Sequence, residues 1–556
     1  MLFRSNYSID SYAEYKLDDF IIKDKKYRRK KLIKGIIIFS IIFSILIIIA
    51  TVIVVVFVIK KIEFGKIKCV YQTFYDNEKI DLINAKDEDI SFDLIIDEEE
   101  FNQENNHTFT NKGLHKITFI FKNKLRSLAK LFTNKNSLIE ADLSELEVDE
   151  ITSLNNLFSN CNNLKNAKLG FSGTNQIKDM SKLFINCSSL ESVKFNFNAE
   201  NVTDMSNMFT NCYSLKSIEF NNFNTKNLKY MESMFNSCKN LTLIDLSSFN
   251  FEKVVNMKYA FLGCEKLADI KFPKSITKAL VYMEGIFKNC TNIKQIDLNF
   301  LRTEKVENMR YIFDGCEKLQ KLNLSKFKTE KVRNVGGMFH NCKSLNVIDL
   351  SNFNLTKVLL AYSLFEGCHN LNQIDMSFFD APLIYNMSRM FKDCFTLKSV
   401  KLPKKLDNII YLNSIFENCN SLEYIDLSSF NGVKDLSKAE KMFSNCTNLT
   451  SIKFPELEAK HLYDASNMFL ECSKLESIDM GNFVTKNLEN LDNMFYNCKS
   501  LAFLNISYLY TGDLKHADNI FNGVEKKINL IIYKNVSEIL LKEISKLNIT
   551  NKSEID

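Results

Sequence analysis

Apolar and polar positions recur with a long period over most of the chain, and cysteine marks that period most clearly. Successive cysteines of this series are 25, 26 or 27 residues apart, a Phe lies three residues before each, and a Leu (once Ile293) lies three residues after each. Two further units keep the register without cysteine, around Phe132 and Phe521. The pattern predicts about sixteen turns of one repeating structure. The cysteine column consists of Cys161, Cys187, Cys212, Cys238, Cys264, Cys290, Cys316, Cys342, Cys368, Cys394, Cys419, Cys446, Cys472 and Cys498.

Each unit combines two shorter periodicities. The residues after Cys read L-x-x-I-x-L, as in Leu241–Leu246, which places apolar side chains on one face of a short strand. The following V-x-x-M-x-x-M-F spacing puts apolar residues three or four apart, which is typical of a helical segment. One strand and one helical segment cannot bury their own apolar faces, whereas stacked units can. We therefore expect a solenoid over residues 125–525, with a parallel sheet that grows by about 4.8 Å per turn.

An uninterrupted apolar run precedes the repeats. Residues 35–59 are 25 residues without a charge, which as a helix measure about 37 Å and exceed the ~30 Å hydrocarbon layer of a bilayer. A cleaved signal peptide has a shorter apolar region that ends in small residues, whereas this run continues into Lys60 and Lys61. A buried core helix is the other alternative. We predict an uncleaved transmembrane signal-anchor helix.

The charges that flank this run predict its orientation. Eight Lys or Arg lie between Lys23 and Lys34, against four between Lys60 and Lys68. The positive-inside rule then predicts a cytoplasmic segment over residues 1–34 and an exported solenoid, with the plasma membrane as the expected location and an internal lumen as the alternative.

Net charge excludes one class of function. Residues 1–34 hold ten bases and five acids, which accounts for the whole net charge of +5, so the remaining chain is balanced. A nucleic-acid-binding domain needs a basic surface on its folded part. We therefore expect no nucleic-acid partner.

The regions on either side of the repeats are predicted to be caps. Residues 60–124 are expected to form a membrane-proximal stalk and N-terminal cap, with acidic clusters at 87–89 and 97–100 and a strand at 114–121 that caps the first turn. Residues 526–556 are expected to form a C-terminal cap. It consists of a last strand at 528–533 and an amphipathic helix at 537–547 that begins at the N-cap residue Ser537.

The repeat resembles the 26-residue unit of the bacterial surface protein (BspA-like) leucine-rich repeat family. The residues that carry the resemblance are M-F-x-x-C-x-x-L-x-x-I-D-L-S-x-F, as in Met234–Phe249, and they recur over about residues 125–525. The resemblance implies an α/β, leucine-rich-repeat-like solenoid of about sixteen 26-residue turns, here preceded by a single transmembrane helix. It also implies surface display and adhesion-type binding, but it identifies no ligand. The chain lacks a lipobox cysteine, so anchoring by lipid is not expected.

The cysteine column has three possible roles. Successive cysteines are expected about 5 Å apart, within bridging distance, but equivalent side chains in a ladder point the same way and would strain a disulfide. Buried, reduced cysteine is the favoured interpretation, with disulfide pairs as the alternative, and the absence of C-x-x-C argues against zinc. Cys69 lies outside the column and is expected to be free, lipidated or a bridge in a homo-oligomer.

A polar column occupies the outward strand position that follows Ile. Lys271, Lys401 and Lys453 interrupt it. It is a candidate ligand-binding strip for a basic or cation-bridged partner, because this column lies on the sheet face of a solenoid. The alternatives are a solvated face whose Asp residues serve local turns, or a calcium site. The column contains Asp245, Asp297, Asn323, Asp349, Asp375, Asp426 and Asp479.

Signatures of catalysis are not found. The four in-repeat histidines, His340, His369, His461 and His516, occupy different repeat positions, so we expect surface residues rather than metal ligands or a catalytic triad. No P-loop, H-E-x-x-H or G-x-S-x-G motif occurs, and we expect neither a cofactor nor an enzyme. Glycosylation sequons occur throughout the predicted exported part and suggest a glycoprotein; they include Asn106, Asn186, Asn240, Asn323, Asn354, Asn448 and Asn505.

The sequence therefore predicts a membrane-anchored cell-surface binding protein, an adhesin or receptor-like ectodomain that recognises an extracellular protein or glycan. The alternative is a self-associating structural coat or scaffold protein.

Overall fold

The computed structural model describes residues 10–59, 64–85, 90–171 and 176–555. The chain divides after Glu63 into two units, which are taken separately. Lys60 and Lys61, which enter the orientation argument, and the acidic cluster at 87–89 lie outside the described residues.

The first unit is one long helix, α1 (Asp10–Ile59). Its stretch Ile21–Val55 is long and apolar enough to cross a membrane, and none of the residues in its most apolar part is buried. The helix begins well before Gly35, because Lys, Arg, Leu and Ile precede that residue without a Gly or Pro to end it. The predicted apolar helix at 35–59 is thus the C-terminal part of α1, and the basic cluster at 23–34 lies on the same helix.

The second unit begins with antiparallel strands that close the N-terminal end of the solenoid. Strand β1 (Gly65–Thr73) pairs antiparallel with β6 (Gly113–Phe121) on one side and with the first repeat strand, β7 (Leu138–Leu146), on the other. The strand expected at 114–121 is present as β6, but β1 and not β6 covers the first turn. The strands of this part are β1 (Gly65–Thr73), β2 (Glu78–Asp81), β3 (Phe92–Ile96), β4 (Glu99–Phe101), β5 (Asn106–Phe109) and β6 (Gly113–Phe121), with the first repeat strand β7 (Leu138–Leu146).

The repeat strands pair in parallel with the equivalent residues of the next unit, as in Leu243–Asp269, Ile244–Ile270 and Asp245–Lys271. Leu and Ile of each strand point into one continuous core, as the alternation predicts. The remaining strands are β8 (Asn166–Leu169), β9 (Ser192–Asn196), β10 (Ser217–Asn221), β11 (Leu243–Asp245), β12 (Asp269–Lys271), β13 (Gln295–Ile296), β14 (Lys321–Leu322), β15 (Gln373–Asp375), β16 (Ser399–Lys401), β17 (Tyr424–Asp426), β18 (Ser451–Lys453), β19 (Leu457–Ala459), β20 (Ser477–Asp479), β21 (Phe483–Thr485) and β22 (Phe503–Asn505), with a 3-10 helix at Ser428–Phe430.

The helical segment predicted for each turn is wrong. In the turn that ends at Cys161, Asn156 and Asn160 have φ of 55° and 60°, and left-handed residues four apart interrupt a right-handed helix. The amide of Phe158 donates to Leu183 of the next turn at 2.9 Å, whereas the amide of Cys161 donates to Phe158 at 3.1 Å. Amides therefore alternate between tight turns and the neighbouring unit, and the solenoid is held by β-type hydrogen bonds on this side too.

The phenylalanine before each cysteine forms a single stack through the core. Consecutive rings from Phe132 to Phe521 have centroids 5.3–5.8 Å apart and planes within 2–13° of each other. Because Phe132 and Phe521 belong to this stack, the two units without cysteine are true turns. The solenoid of about sixteen turns is confirmed.

The C-terminal end is closed by strand β23 (Ile528–Tyr533), helix α2 (Glu538–Ile544) and strand β24 (Ile549–Ile555). The predicted strand and helix are both present, and the Ser537 side chain accepts a hydrogen bond from the amide of Leu540 as an N-cap. Strand β24 was not anticipated. It pairs in parallel with β23 and extends the last sheet by one strand.

Candidate functional site

The predicted polar strip lies on the outward side of the repeat strands. Six of its seven residues are exposed and Asp426 is half-buried. Asp245, Asp375, Asp426 and Asp479 each end a strand, so the pleat that buries the preceding Ile turns these side chains to solvent. The structure thus brings the predicted residues into one column.

One oxygen of every strip residue is already used by its own backbone turn. In each, Oδ1 accepts the amide two residues further on, at 2.8 Å in Asp349 and 3.0 Å in Asp245. The same bond occurs in Asp297, Asn323, Asp375, Asp426 and Asp479. The role in local turns that the sequence left as an alternative is therefore present at all seven positions, and only the second oxygen or the amide nitrogen of each side chain is left for another partner.

The lysines that interrupt the strip pair with the acids before them. Lys401 Nζ lies 2.8 Å from Asp375 Oδ2, and this bond, with that of Ser377, lowers the pKa of Asp375 to about 2. Lys271 and Lys453 bind Asp245 and Asp426 in the same way, at 3.3 and 2.9 Å. Asp297, Asn323 and Asp349 have no such lysine in the described structure, so they are the part of the strip with the most unneutralised acid.

A polar groove of about 760 Å³ runs beside the strip, over the five turns from that of Asn323 to that of Asp426. We call it the amide groove. At the second position after Cys it is lined by Ser344, Asn370, Thr396 and Ser421, and at the fourth by Gln320, Asn346, Asn372 and Lys398. Lys321 completes the lining. These columns were not predicted, because the polar strip contains only the residue that follows Ile in each strand.

The strand ladder is interrupted in the second of the five turns that line the amide groove. Strands β14 and β15 occupy two turns, but in the described structure the turn between them has no strand at Val347–Asp349. Val347 is 63% exposed there. The backbone of this turn directly follows Asn346 of the groove lining and, unlike that of a strand, is not paired with a neighbouring turn.

The cysteine column is structural. All of its thiols are free and buried, and each Sγ–H donates to the carbonyl oxygen of the Phe in the preceding turn, at 2.9 Å for Cys161 and 3.3 Å for Cys238. Burial raises the pKa of the Cys161, Cys264, Cys368 and Cys498 thiols to about 12. Each thiol therefore links its turn to the one before it, and the reduced state of the column stays a prediction.

Cys69 lies inside the sheet and not at the surface. It sits in β1 with 3% of its surface exposed, and burial raises the pKa of its thiol well above the usual range. A homo-oligomer bridged through Cys69 needs β1 to leave the sheet, and such a bridge stays a prediction. Among the described residues, no group of three or more His, Cys, Asp or Glu is placed to hold a metal ion.

An asparagine column links neighbouring turns on the side of the solenoid. Asn186, immediately before Cys187, has φ of 63°, donates to Asn160 at 2.7 Å and accepts from Asn211 at 2.8 Å. Asn tolerates this left-handed backbone better than most residues, so the position selects Asn or Gly. Asn186 is also one of the predicted sequons, and its amide is already engaged in the ladder.

An alternating charge column lies on the same side, two residues before Cys. Asp314 is buried and binds Lys288 at 2.6 Å and His340 Nδ1 at 2.8 Å, and Glu366 follows on the next turn. The hydrogen bond to Asp314 raises the pKa of His340 above its ordinary value. His340 is thus half-buried within a charge pair, and the expectation of a surface histidine is wrong for this residue.

Two family models match the repeats. The family described as "Mycoplasma protein of unknown function, DUF285" matches residues 98–192, 152–272 and 281–405, which together are more than half of the chain. The family described as "BspA type Leucine rich repeat region (6 copies)" matches residues 384–525. No curated protein matches the chain.

Two solved structures are similar to the chain only at a coarse level. A leucine-rich repeat protein from Eubacterium ventriosum is 14% identical with a TM-score of 0.32, over 71% of this chain and 92% of that one. A TLR13–ssRNA13 complex is 16% identical with a TM-score of 0.20, over 78% of this chain and 70% of that one. The assignment therefore rests on the sequence models and the repeat geometry. The chain belongs to the DUF285 family of mycoplasma proteins and is a BspA-like leucine-rich repeat protein.

Proposed function

We propose that this protein is a membrane-anchored surface receptor or adhesin that recognises an extracellular partner through the strand face of its solenoid. The supporting observation is the contrast between the two sides of each strand. Inward positions repeat the same Leu and Ile through one core, whereas outward positions change from turn to turn and include the groove on the turns from Asn323 to Asp426. A surface that varies on a constant scaffold is typical of a recognition protein.

Binding rather than catalysis is the proposed activity. The strip acids are each tied to a turn, and the one strongly shifted carboxyl pKa of the strip, that of Asp375, is lowered by Lys401 and Ser377. A general acid or base needs the opposite, a pKa brought toward neutrality. The apolar part of α1 supplies a membrane anchor of sufficient length, which would leave the solenoid on the exported side.

A charge reversal on the strand face tests this function. The full chain in lipid nanodiscs is presented to immobilised matrix proteins and to a glycan array. We expect saturable binding to at least one material, weakened at least tenfold by Asp297→Lys with Asp349→Lys. The matched control, Glu330→Lys with Asp407→Lys, adds the same charge at exposed positions outside the strip and should bind like the parent.

Two results would reject the strand-face receptor. Equal loss of binding in the strip variant and the control shows a nonspecific effect of charge. Concentration-dependent self-assembly without binding to any material favours the alternative, a coat or scaffold protein.

A further inference from the structure

We propose that the amide groove is a carbohydrate site whose ligand is an extended, uncharged β-1,4-linked polysaccharide that runs across the turns. This inference rests on the proposed function, because it names the ligand of the same strand face. It is carried by the chemistry of the lining, by the unpaired backbone next to Asn346 and by the spacing of the turns.

The lining offers hydrogen bonds that the protein does not use. Elsewhere the second position after Cys bridges turns: Asn163 donates to the carbonyl of Asn136 at 2.9 Å, and Asn448 donates to that of Asn420 at 2.7 Å. Asn370 occupies the same repeat position, yet its side chain makes no such bond in the described structure, and the same holds for Asn346 and Asn372. Primary amides present donors and an acceptor together, which suits hydroxyl groups.

The open turn adds backbone groups to the site. The backbone of Val347, Ile348 and Asp349 makes no hydrogen bond to either neighbouring turn within the described chain. A backbone N–H donates and a backbone C=O accepts, and an Asn side chain can do both. A ligand rich in hydroxyls can satisfy both without carrying a charge.

Charge argues for a neutral ligand. No acidic side chain lines the groove, and its two cations, Lys321 and Lys398, lie three turns apart at its two ends. An anionic polymer would need closely placed cations along its path. Binding through amides should also be nearly independent of salt, whereas an acidic ligand would dissociate as salt rises.

The spacing of the turns separates a polysaccharide from a peptide. Equivalent side chains on adjacent strands recur at about 4.8 Å, so two turns span about 9.6 Å. In an extended β-1,4-linked chain each sugar is turned over relative to the one before it, and the two-sugar repeat has a length close to that of two turns. An extended peptide presents the same face every second residue, roughly 6.6 Å, which matches neither one turn nor two. Every second sugar can therefore meet the same set of repeat positions on every second turn.

Hexasaccharide binding to the full chain in nanodiscs tests the inference. The probes are the β-1,4-linked hexamers of N-acetylglucosamine and of glucose, with the α-1,4-linked glucose hexamer as a coiled control, measured by calorimetry. We expect one of the β-linked hexamers to bind and the α-linked one not to. Affinity should rise with chain length to four or five sugars, the number of turns in the groove, and then level off.

Paired variants locate the site. Asn346→Ala with Asn372→Ala should weaken β-hexamer binding at least tenfold, with an unchanged melting temperature. Thr242→Ala with Thr450→Ala changes the same repeat position outside the groove and should leave the Kd within twofold. Equal binding by the asparagine variant would overturn the assignment of the groove.

Failure of the inference and failure of the proposed function give different results. If neither β-linked hexamer binds but the same preparation still binds a matrix protein through the strand face, the carbohydrate site is wrong and the receptor stands. If nothing binds in either format, both are rejected.

Discussion

Cys264 Sγ lies 3.1 Å from the carbonyl oxygen of Phe235, the phenylalanine of the preceding turn. The same oxygen accepts the amide of Cys238 at 3.1 Å, so the thiol supplies the second bond to a buried carbonyl. Cysteine suits the position because its side chain is small, apolar and a weak donor. The contact links each turn to the one before it, which explains why cysteine recurs with the period of the solenoid.

The burial of the cysteine thiols should make them react slowly with thiol reagents. Burial raises the pKa of Cys264 to about 12, and the reactive thiolate is therefore scarce at pH 8. We expect the native chain to react with a thiol reagent such as DTNB in less than one equivalent over an hour, whereas the unfolded chain exposes all 15 cysteines. Fast reaction of several native thiols would contradict the structural role of the column, and a deficit after unfolding would indicate disulfides.

Replacing a phenylalanine of the stack by alanine should lower the free energy of unfolding most in the middle of the stack. Phe313 lies between Phe287 and Phe339, each at 5.8 Å, and Phe313→Ala should lower the free energy of unfolding by about 3–5 kcal/mol. Phe521 has one stacked neighbour, Phe495, and Phe521→Ala should cost less. Urea denaturation measures both. Equal costs at the two positions would argue against a continuous stack.

Stability should depend on pH through His340. Asp314 raises the pKa of His340 above its ordinary value of about 6.5, so the stabilisation from the protonated pair is complete below that value and is lost as pH rises through the folded-state pKa. Although burial opposes it, the bonds from His340 and Lys288 keep the pKa of Asp314 below its usual range, so Asp314 stays ionised throughout this window.

Melting temperatures between pH 5 and 9 test this linkage. His340→Gln should be less stable than the parent at pH 5.5, and the difference should shrink as pH rises. His461→Gln is the control, since that side chain is 62% exposed and lies 3.7 Å from Asp435. A difference between His340→Gln and the parent that does not vary with pH would show that the charge of His340 does not stabilise the fold.

Glycan occupancy of a sequon should depend on whether its asparagine side chain is bonded in the asparagine column. Expression in a glycosylating secretory host should leave Asn186 unmodified, because its side chain is bonded to Asn160 and Asn211 on both sides. Asn323 is exposed and only its Oδ1 is held by a turn, so it is the matched site at which a glycan can fit, and occupancy there would block the strand face and count against the proposed receptor. Mass spectrometry of the purified protein gives the occupancy. A glycan on Asn186 would contradict the ladder.

The strands and the number of turns could be predicted because their signals repeat. Leu241, Ile244 and Leu246 alternate as a strand must, and each further unit restates the same register. The side of the turn that carries Phe was misread as a helix, since apolar residues three or four apart fit both a helix and a series of tight turns. The decisive signal was available in the sequence: Asn or Gly before most cysteines favours left-handed backbone at that position.

The binding region was only partly predictable. Asp297 and Asp349 were found because they follow a conspicuous Ile, but the asparagines of the amide groove differ from turn to turn and carry no motif. Asn163 and Asn370 occupy the same repeat position, yet only Asn163 donates to the preceding turn, so the repeat position alone does not show which side chains are left unbonded. Strand β1 was missed for a related reason, since its partner β7 lies more than 60 residues away along the chain.

We propose that an N-terminal anchor displays the solenoid outside the cell. Protease treatment of intact cells, followed by detection of residues 125–556 with an antibody to the solenoid, tests this topology. We expect loss of the solenoid signal while a cytoplasmic marker remains intact. Full protection of the solenoid in intact cells, with cleavage only after the membrane is permeabilised, would contradict surface display and the receptor function built on it.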